Sequence, residues 1–183
     1  MRSYTDILTI ANKSKAYARS QILKSSTALE NNDSPKEYFD AIDSAVTKDI
    51  RSLIHQQTNL QSNRLEKNKD VIYYENVIHV TSKYSIGNCY ELALQALDYV
   101  LNTTNIDAEV YSIMGGNHCF LVLNRDKDSN PSNPETWGSN AVICDPLANK
   151  AYQAKEYHTK LNTLYRSADK NCMDDFEVRP RSW

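Results

Sequence analysis

A chain of 183 residues is long enough for one domain with a hydrophobic core and short for two. Its 21 Lys and Arg residues nearly balance 23 Asp and Glu residues, and no block of like charges is long enough to act as a binding arm. The charge pattern therefore favours neither a nucleic-acid partner nor an anionic membrane surface. The apolar runs are too short for a membrane span, so we expect a soluble protein.

The four cysteines, at positions 89, 119, 144 and 172, form no CxxC motif and follow no regular spacing. The N-terminus lacks the apolar segment of a Sec signal peptide, so we expect reduced thiols and a reducing cytoplasm. A protein that a specialised secretion system exports into a host cell would have the same features.

The first part of the chain, residues 1–84, has a mainly helical pattern. Apolar side chains recur with a helical period over residues 3–29, before a turn cluster at residues 31–33. A capping box with proline at the first helical position, at residues 34–37, predicts the start of a second helix that extends toward Asn68. We expect these two long helices to be antiparallel.

Residues 70–84 are compatible with strands or with a third helix followed by a loop, and the helix is the preferred interpretation. Residues 87–101 have apolar positions at i, i+3, i+4 and i+7, which is the period of a helix with one buried face. Gly87 is unfavourable inside a helix and Asn88 is a good N-cap. The buried helix is therefore predicted to begin at Cys89.

The last part of the chain has strand-like segments, which makes the predicted fold class α+β. Residues 115–117 have the composition of a tight hairpin connection, so the strands on either side are expected to pair antiparallel. The predicted strands cover residues 106–114, 118–124, 141–145 and 151–152, with an exposed loop at 125–135, a terminal helix at 156–164 and a loosely held tail at 166–183.

Cys89 is the candidate nucleophile. In the first turn of a helix, unpaired backbone N–H groups and the helix dipole favour an anion, so a thiol there is expected to ionise readily. Cysteine catalysis also needs an imidazole base and a group that fixes the tautomer of that base. His118, at the start of one predicted strand, and Asp145, at the end of the next, supply both. We therefore predict a triad of Cys89, His118 and Asp145.

Three short motifs resemble those of a known superfamily. Residues 87–93 (GNCYELA), 118–122 (HCFLV) and 142–146 (VICDP) resemble the motifs of the transglutaminase-like branch of the papain-like superfamily, especially its small bacterial effector and toxin domains. The resemblance covers roughly residues 87–152, a little over a third of the chain. It implies a papain-like core at residues 85–165, with a central helix on a small antiparallel sheet, inside a single domain.

In that superfamily a cysteine attacks a carboxamide or peptide carbonyl, a histidine acts as general base and then acid, and an aspartate orients the histidine. Position by position, the resemblance assigns these roles to Cys89, His118 and Asp145. It implies cysteine-dependent acyl transfer on a protein substrate, such as a host protein, without a cofactor. The pair of Asp145 and Pro146 favours a glutamine deamidase or transglutaminase, and a cysteine protease is the alternative.

The chain departs from the family pattern at two points. No clear match exists for the upstream oxyanion donor, so Asn88 and Asn76 are the candidates for a second donor beside the backbone N–H of Cys89. Leu147 stands where many relatives have an aromatic residue. Trp137 is interpreted mainly as a core or loop anchor, with a substrate contact as its other role.

Two alternatives remain. A zinc site could be built from residues among Cys89, His118, Cys119 and Cys144. Metal-ligand pairs normally come from short spacings, and adjacent residues of a strand face opposite ways, so no metal is expected. By the same alternation, Cys119 and Cys144 are expected to lie in the core. The alternative of another class is a catalytically inactive binding module whose helices present a partner surface.

Overall fold

The computed structural model describes residues 2–27, 39–64, 68–113, 118–164 and 178–180. Among the described residues, no helix has both the length and the apolar character that crossing a bilayer requires. The helices in these ranges are α1 (Tyr4–Gln21), α2 (Ser44–Ser62), α3 (Lys69–Tyr84), α4 (Cys89–Thr103) and α5 (Tyr157–Leu164).

The described strands form two separate sheets. A small parallel sheet pairs β1 (Lys24–Ser25) with β2 (Asp40–Ala41). The main sheet is antiparallel throughout, and its combination with separate helices confirms the predicted α+β class. Listed across the main sheet, the strands are β6 (Lys150–Gln153), β5 (Val142–Asp145), β4 (Cys119–Leu123), β3 (Ala108–Ile113) and β7 (Val178–Pro180).

The main sheet lies between two clusters of buried side chains. α4 packs on β3 and β4, and α1 packs on α4, β5 and β6. Because side chains alternate across a strand, Leu121 and Leu123 face these helices. Phe120 and Val122 face the other way and pack with Trp137 in the second cluster. Each large apolar side chain that is fully buried in this way contributes about 1.5–3 kcal/mol to stability.

α4 is the central helix of the fold. Most of its residues are buried, including the polar residues Glu91 and Gln95. The side-chain amide of Gln95 donates to the hydroxyl groups of Thr81 and Ser82, which ties α4 to α3. The sheet, α1 and α3 therefore all hold the helix that begins at Cys89.

α1 is shorter than predicted. It ends at Gln21 rather than near Leu29, because the backbone N–H groups of Leu23 and Lys24 both bond to the carbonyl oxygen of Ser85 and lead into β1. The main packing partners of the two N-terminal helices are not each other, since α1 packs on α4 whereas α2 packs on α3. Their antiparallel orientation stays a prediction. The apolar stripe of a helix shows that it is buried but does not identify its partner.

α2 begins later than predicted, at Ser44. The side chain of Asp43 accepts a hydrogen bond from the backbone N–H of Ala45 at 2.8 Å, which caps the helix there. The capping box predicted at residues 34–37 and the turn predicted at 31–33 lie outside the described residues.

α3 confirms the helical interpretation of residues 70–84. Its N-cap is Asn68, whose side chain accepts a hydrogen bond from the N–H of Asp70 at 2.8 Å. The helix ends at Tyr84, and its C-cap, Ser85, has a left-handed backbone with φ of 56°. The preceding helix, α2, therefore ends at Ser62 rather than near Asn68.

The main difference from the prediction in the described C-terminal part is an additional strand. Val178–Pro180, expected in a loose tail, instead pairs with the end of β3 as the edge strand β7. The predicted hairpin connection at residues 115–117 lies outside the described residues, but the strands on either side of it, β3 and β4, do pair antiparallel as predicted.

Candidate active site

The N-terminus of α4 fixes the position of Cys89. Asn88 has an extended backbone, with φ of −114° and ψ of −161°, so the helix begins at Cys89 as predicted. The carboxylate of Glu91 accepts a hydrogen bond from the backbone N–H of Asn88 at 2.9 Å. Cys89 is 6% exposed, so its thiol is nearly enclosed by the protein.

His118 and Asp145 form a buried pair. Nε2 of His118 lies 2.7 Å from Oδ2 of Asp145, and the two residues are 5% and 0% exposed. They meet because β4 and β5 are antiparallel neighbours, which places the start of β4 beside the end of β5. Oδ1 of Asp145 accepts a hydrogen bond from the N–H of Ala148 at 3.0 Å. Since an ionised carboxylate can only accept, Nε2 is assigned the hydrogen and Nδ1 is the basic nitrogen.

Cys89 contacts Cys119, the first residue of β4. Cys119 hydrogen-bonds to Cys89 through both its side chain and its backbone, and Cys119 is 5% exposed. His118 and Cys119 are neighbours in the chain. His118 contacts Asp145, and Cys119 contacts Cys89. The structure joins His118 to Asp145 directly and brings Cys89 into contact with Cys119, the residue after His118 in the chain.

The two pairs point in different directions. Cys119 belongs to the cluster beneath α4, whereas the ring of His118 lies 6.1 Å from that of Phe120, in the cluster on the opposite face of the sheet. A working triad requires the imidazole to reach the sulfur of Cys89 around the start of β4. The direct contact between Cys89 and His118 is therefore part of the proposal below.

The pKa of the Cys89 thiol is raised, contrary to the thiolate predicted from its position at a helix N-terminus. The largest cause is its hydrogen bond with Cys119, followed by burial, which disfavours a charged sulfur. The carboxylate of Glu91 raises this pKa further. The backbone hydrogen bond of Cys119 lowers the pKa of Cys89, but the raising effects outweigh it. Cys119, burial and Glu91 thus all disfavour the thiolate form of Cys89 in the folded protein.

The structure supports neither asparagine as a second oxyanion donor. The side-chain amide of Asn88 donates to the hydroxyl of Ser26 at 3.0 Å, so it is turned toward the segment that follows β1. Asn76 lies on α3 and uses its amide hydrogens on Thr58 and Gln61 of α2, at 3.1 and 2.9 Å. Both side chains are structural links between elements.

Trp137 is a core anchor, as its main interpretation predicted. The residue is fully buried, and its ring centroid lies 4.7 Å from that of Tyr111. Its indole N–H donates to the carbonyl oxygen of Asn130 at 3.0 Å, which holds the loop after β4 against the second cluster. A fully buried ring has no surface for a substrate, so the substrate contact considered for Trp137 is wrong.

Cys144 lies in the core, as strand alternation predicts. Its sulfur is 3.3 Å from the carbonyl oxygen of Ala11 and 3.6 Å from the hydroxyl of Ser14, both on α1. Burial raises the pKa of this thiol to about 12. Within the ranges that the structure describes, no group of three or more His, Cys, Asp and Glu side chains is placed to hold a metal ion.

One residue near Cys89 was not singled out by any sequence pattern. Arg51 of α2 forms an ion pair with Glu91, 40 positions further along the chain. A charged residue on a predicted helix is usually solvent-exposed, and no local motif connects the two positions. Only the packing of α2 near the start of α4 brings this pair together.

Comparison with known proteins finds no match to this chain among family models, curated proteins or solved structures. The likeness to the transglutaminase-like branch therefore rests on the three short motifs.

Proposed function

We propose that the protein is a cysteine-dependent acyl-transfer enzyme that acts on a protein substrate. Cys89 is the nucleophile, His118 is the general base, and Asp145 orients His118. The observation that carries this proposal is the buried 2.7 Å contact between His118 and Asp145, next to the residue that contacts Cys89. Nucleophilic cysteine catalysis needs a thiol, a histidine within reach of that thiol, and a carboxylate that holds the histidine. The reach from His118 to Cys89 is part of this proposal.

In the proposed reaction, Nδ1 of His118 takes the proton from Cys89 while the sulfur attacks the carboxamide carbon of the substrate. The carbon–nitrogen bond then breaks, and His118 gives the proton to the departing ammonia. Water or an amine then attacks the thioester carbon while His118 takes its proton. The carbon–sulfur bond breaks, His118 returns the proton to the sulfur of Cys89, and a carboxylate or a new amide leaves. Asp145 keeps His118 in the correct tautomer and stabilises the imidazolium that forms.

The raised pKa of Cys89 favours proton transfer during the attack over a thiolate formed in advance. His118 must therefore come within hydrogen-bond reach of the sulfur when the substrate binds. The backbone N–H of Cys89, in the first turn of α4, is the proposed donor to the developing oxyanion. This role is assigned to the backbone because Asn76 and Asn88 use their amide groups within the fold.

Among the reactions of this class, deamidation or transglutamination of a glutamine side chain is proposed ahead of peptide cleavage. The support is the third motif, in which Asp145 is followed by Pro146 as in the transglutaminase-like branch. The three reactions differ in the acyl donor and acceptor, not in the triad. The proposed substrate is a host protein where the chain is exported by a specialised secretion system.

The test is incubation of the purified protein with a cell extract and a labelled primary amine, followed by mass spectrometry. Conversion of glutamine to glutamate would support deamidation, and incorporation of the amine would support transglutamination. New chain termini would show that proteolysis is the reaction instead. Each product is expected to disappear in Cys89→Ala and to persist in Cys119→Ala, which removes the neighbouring thiol. Products that persist in Cys89→Ala would overturn the proposal.

The burial and the raised pKa of Cys89 favour a second candidate, a binding module without catalytic activity. A small thiol-reactive electrophile separates the two. Labelling of Cys89 in the folded protein supports the enzyme, because a substrate carbonyl could then reach the same sulfur. Labelling that occurs only after unfolding supports the binding module.

A further inference from the structure

Arg51 and Glu91 form a bidentate ion pair between α2 and α4. Nε of Arg51 lies 2.7 Å from Oε1 of Glu91, and Nη2 lies 3.0 Å from Oε2. The side chain of Glu91 is only 3% exposed, whereas that of Arg51 is 43% exposed. A buried carboxylate is costly unless it is paired and hydrogen-bonded, and Arg51 supplies that pairing for Glu91.

The same carboxylate holds the residue before Cys89. Oε2 of Glu91 also accepts the hydrogen bond from the backbone N–H of Asn88. Arg51, Glu91 and the N-cap of α4 therefore form one continuous network. The side chain of Asn88 is bound in turn to Ser26, so the start of α4 is held from α2 and from the segment after β1.

The charges of this network act on the sulfur of Cys89. Glu91 opposes a negative charge there, and Cys119 does the same from β4. Arg51, from α2, interacts favourably with a negative sulfur. The ion pair thus presents opposite charges to Cys89, and removal of either partner leaves the charge of the other uncompensated.

We propose that Arg51 and Glu91 are positioning residues for Cys89, holding the first turn of α4 in place and balancing the charge around the sulfur. This inference rests on the proposed function, in which Cys89 is the nucleophile. It gives α2 a role in the site, although α2 lies outside the three motifs that resemble a known superfamily.

The test compares Arg51→Gln, Glu91→Gln and the double variant by the rate at which iodoacetamide alkylates Cys89 in the folded protein at pH 8. Glu91→Gln is expected to raise the rate about three- to tenfold, since one pKa unit corresponds to a tenfold change in thiolate. Arg51→Gln is expected to lower the rate by a similar factor. The double variant is expected to react at nearly the original rate.

Arg125→Gln is the matched control. Arg125, in the loop after β4, forms a bidentate pair with Glu109 of β3, at 2.8 and 3.2 Å. This variant removes a bidentate ion pair of the same kind at a site away from the start of α4. The alkylation rate of Cys89 is therefore expected to stay unchanged.

The readout must separate Cys89 from Cys119. No Lys or Arg occurs between Lys83 and Arg125, so trypsin leaves both thiols in one peptide. Cleavage after Glu109 places them in different peptides, also in the Glu91→Gln variant.

Faster alkylation in both single variants would overturn the inference. It would mean that the ion pair only restricts access of the reagent to the sulfur of Cys89. Unchanged rates in both would overturn it as well. Where a neutral variant does not fold, Arg51→Lys and Glu91→Asp keep the charges and are expected to change the rate by less than threefold. Failure of the proposed function is a separate outcome, seen as activity that survives in Cys89→Ala.

Discussion

Gly87 lies so close to Glu91 that an added Cβ at Gly87 would be 2.7 Å from the Cβ of Glu91. The same atom would be 2.8 Å from Cδ1 of Ile22, at the end of α1. Gly87 is therefore needed here, because only a residue without a side chain leaves room for both Ile22 and Glu91 against the backbone just before Cys89.

Gly87→Ala should therefore destabilise the protein by about 1–3 kcal/mol, because the new methyl group overpacks a closed site. Urea unfolding measures this change. Because the overlap displaces Glu91, the alkylation rate of Cys89 should change as well. Gly138→Ala is the control: its φ of 97° makes the variant strained, but the new Cβ would meet Asp126 only at 3.7 Å. That variant should lose stability and keep the alkylation rate.

Cys119→Ala should make Cys89 more reactive. The hydrogen bond with Cys119 is the largest cause of the raised pKa of Cys89, so its removal should lower that pKa. We expect alkylation of Cys89 at pH 8 to be about tenfold faster, which corresponds to one pKa unit. Cys119→Ser keeps a hydrogen-bonding group and should react more nearly at the original rate. An unchanged rate in Cys119→Ala would show that burial alone protects the sulfur.

The stability of the protein should fall at alkaline pH, partly because of Cys144. A thiol in the unfolded chain ionises near pH 8.5, whereas the pKa of Cys144 in the folded protein is raised to about 12. The stabilisation is fully present below about pH 8.5 and is lost as the pH rises toward 12, because the unfolded state then binds fewer protons than the folded state. By pH 10 this loss is about 2 kcal/mol.

Urea unfolding at pH 7.5 and at pH 10 tests this loss. Cys144→Ala has no thiol to titrate at this position, so its stability should fall less between the two pH values than that of the original protein. An equal fall in both proteins would mean that other groups cause the alkaline loss.

Asp145→Asn should remove activity while the fold persists. The asparagine can still accept a hydrogen bond from Ala148 but no longer stabilises an imidazolium at His118. We expect turnover in the mass-spectrometric assay to fall by about a thousandfold or more. Asp98→Asn, which alters the carboxylate bound to Tyr74 elsewhere on α4, should leave turnover unchanged. Activity retained in Asp145→Asn would contradict the assigned role.

The parts of the fold that depend on local signals could be predicted from the sequence. The start of α4 follows from a good N-cap at Asn88 and an apolar stripe, and the meeting of His118 with Asp145 follows from neighbouring antiparallel strands. The direct contact of Cys89 with His118 stays a prediction, as does the papain-like core.

Contacts that depend on how whole elements pack could not be predicted. Cys119 contacts Cys89 only because α4 packs on the start of β4, and this contact opposes the ionisation expected of Cys89 at a helix N-terminus. Arg51 meets Glu91 because α2 packs near the start of α4, and nothing near either residue in the chain indicates that partner. Side chains brought together by such packing are separated by many residues in the sequence.

The pairing of Val178–Pro180 with β3 has a practical consequence for handling the protein. A shortened version that stops after α5 would leave the outer backbone groups of β3 without these partners. The unpaired N–H and C=O groups of an exposed edge strand can pair with a strand of another molecule, so truncation at that point should promote aggregation during purification. Crystallisation trials would therefore be better served by retaining the last segment than by trimming it.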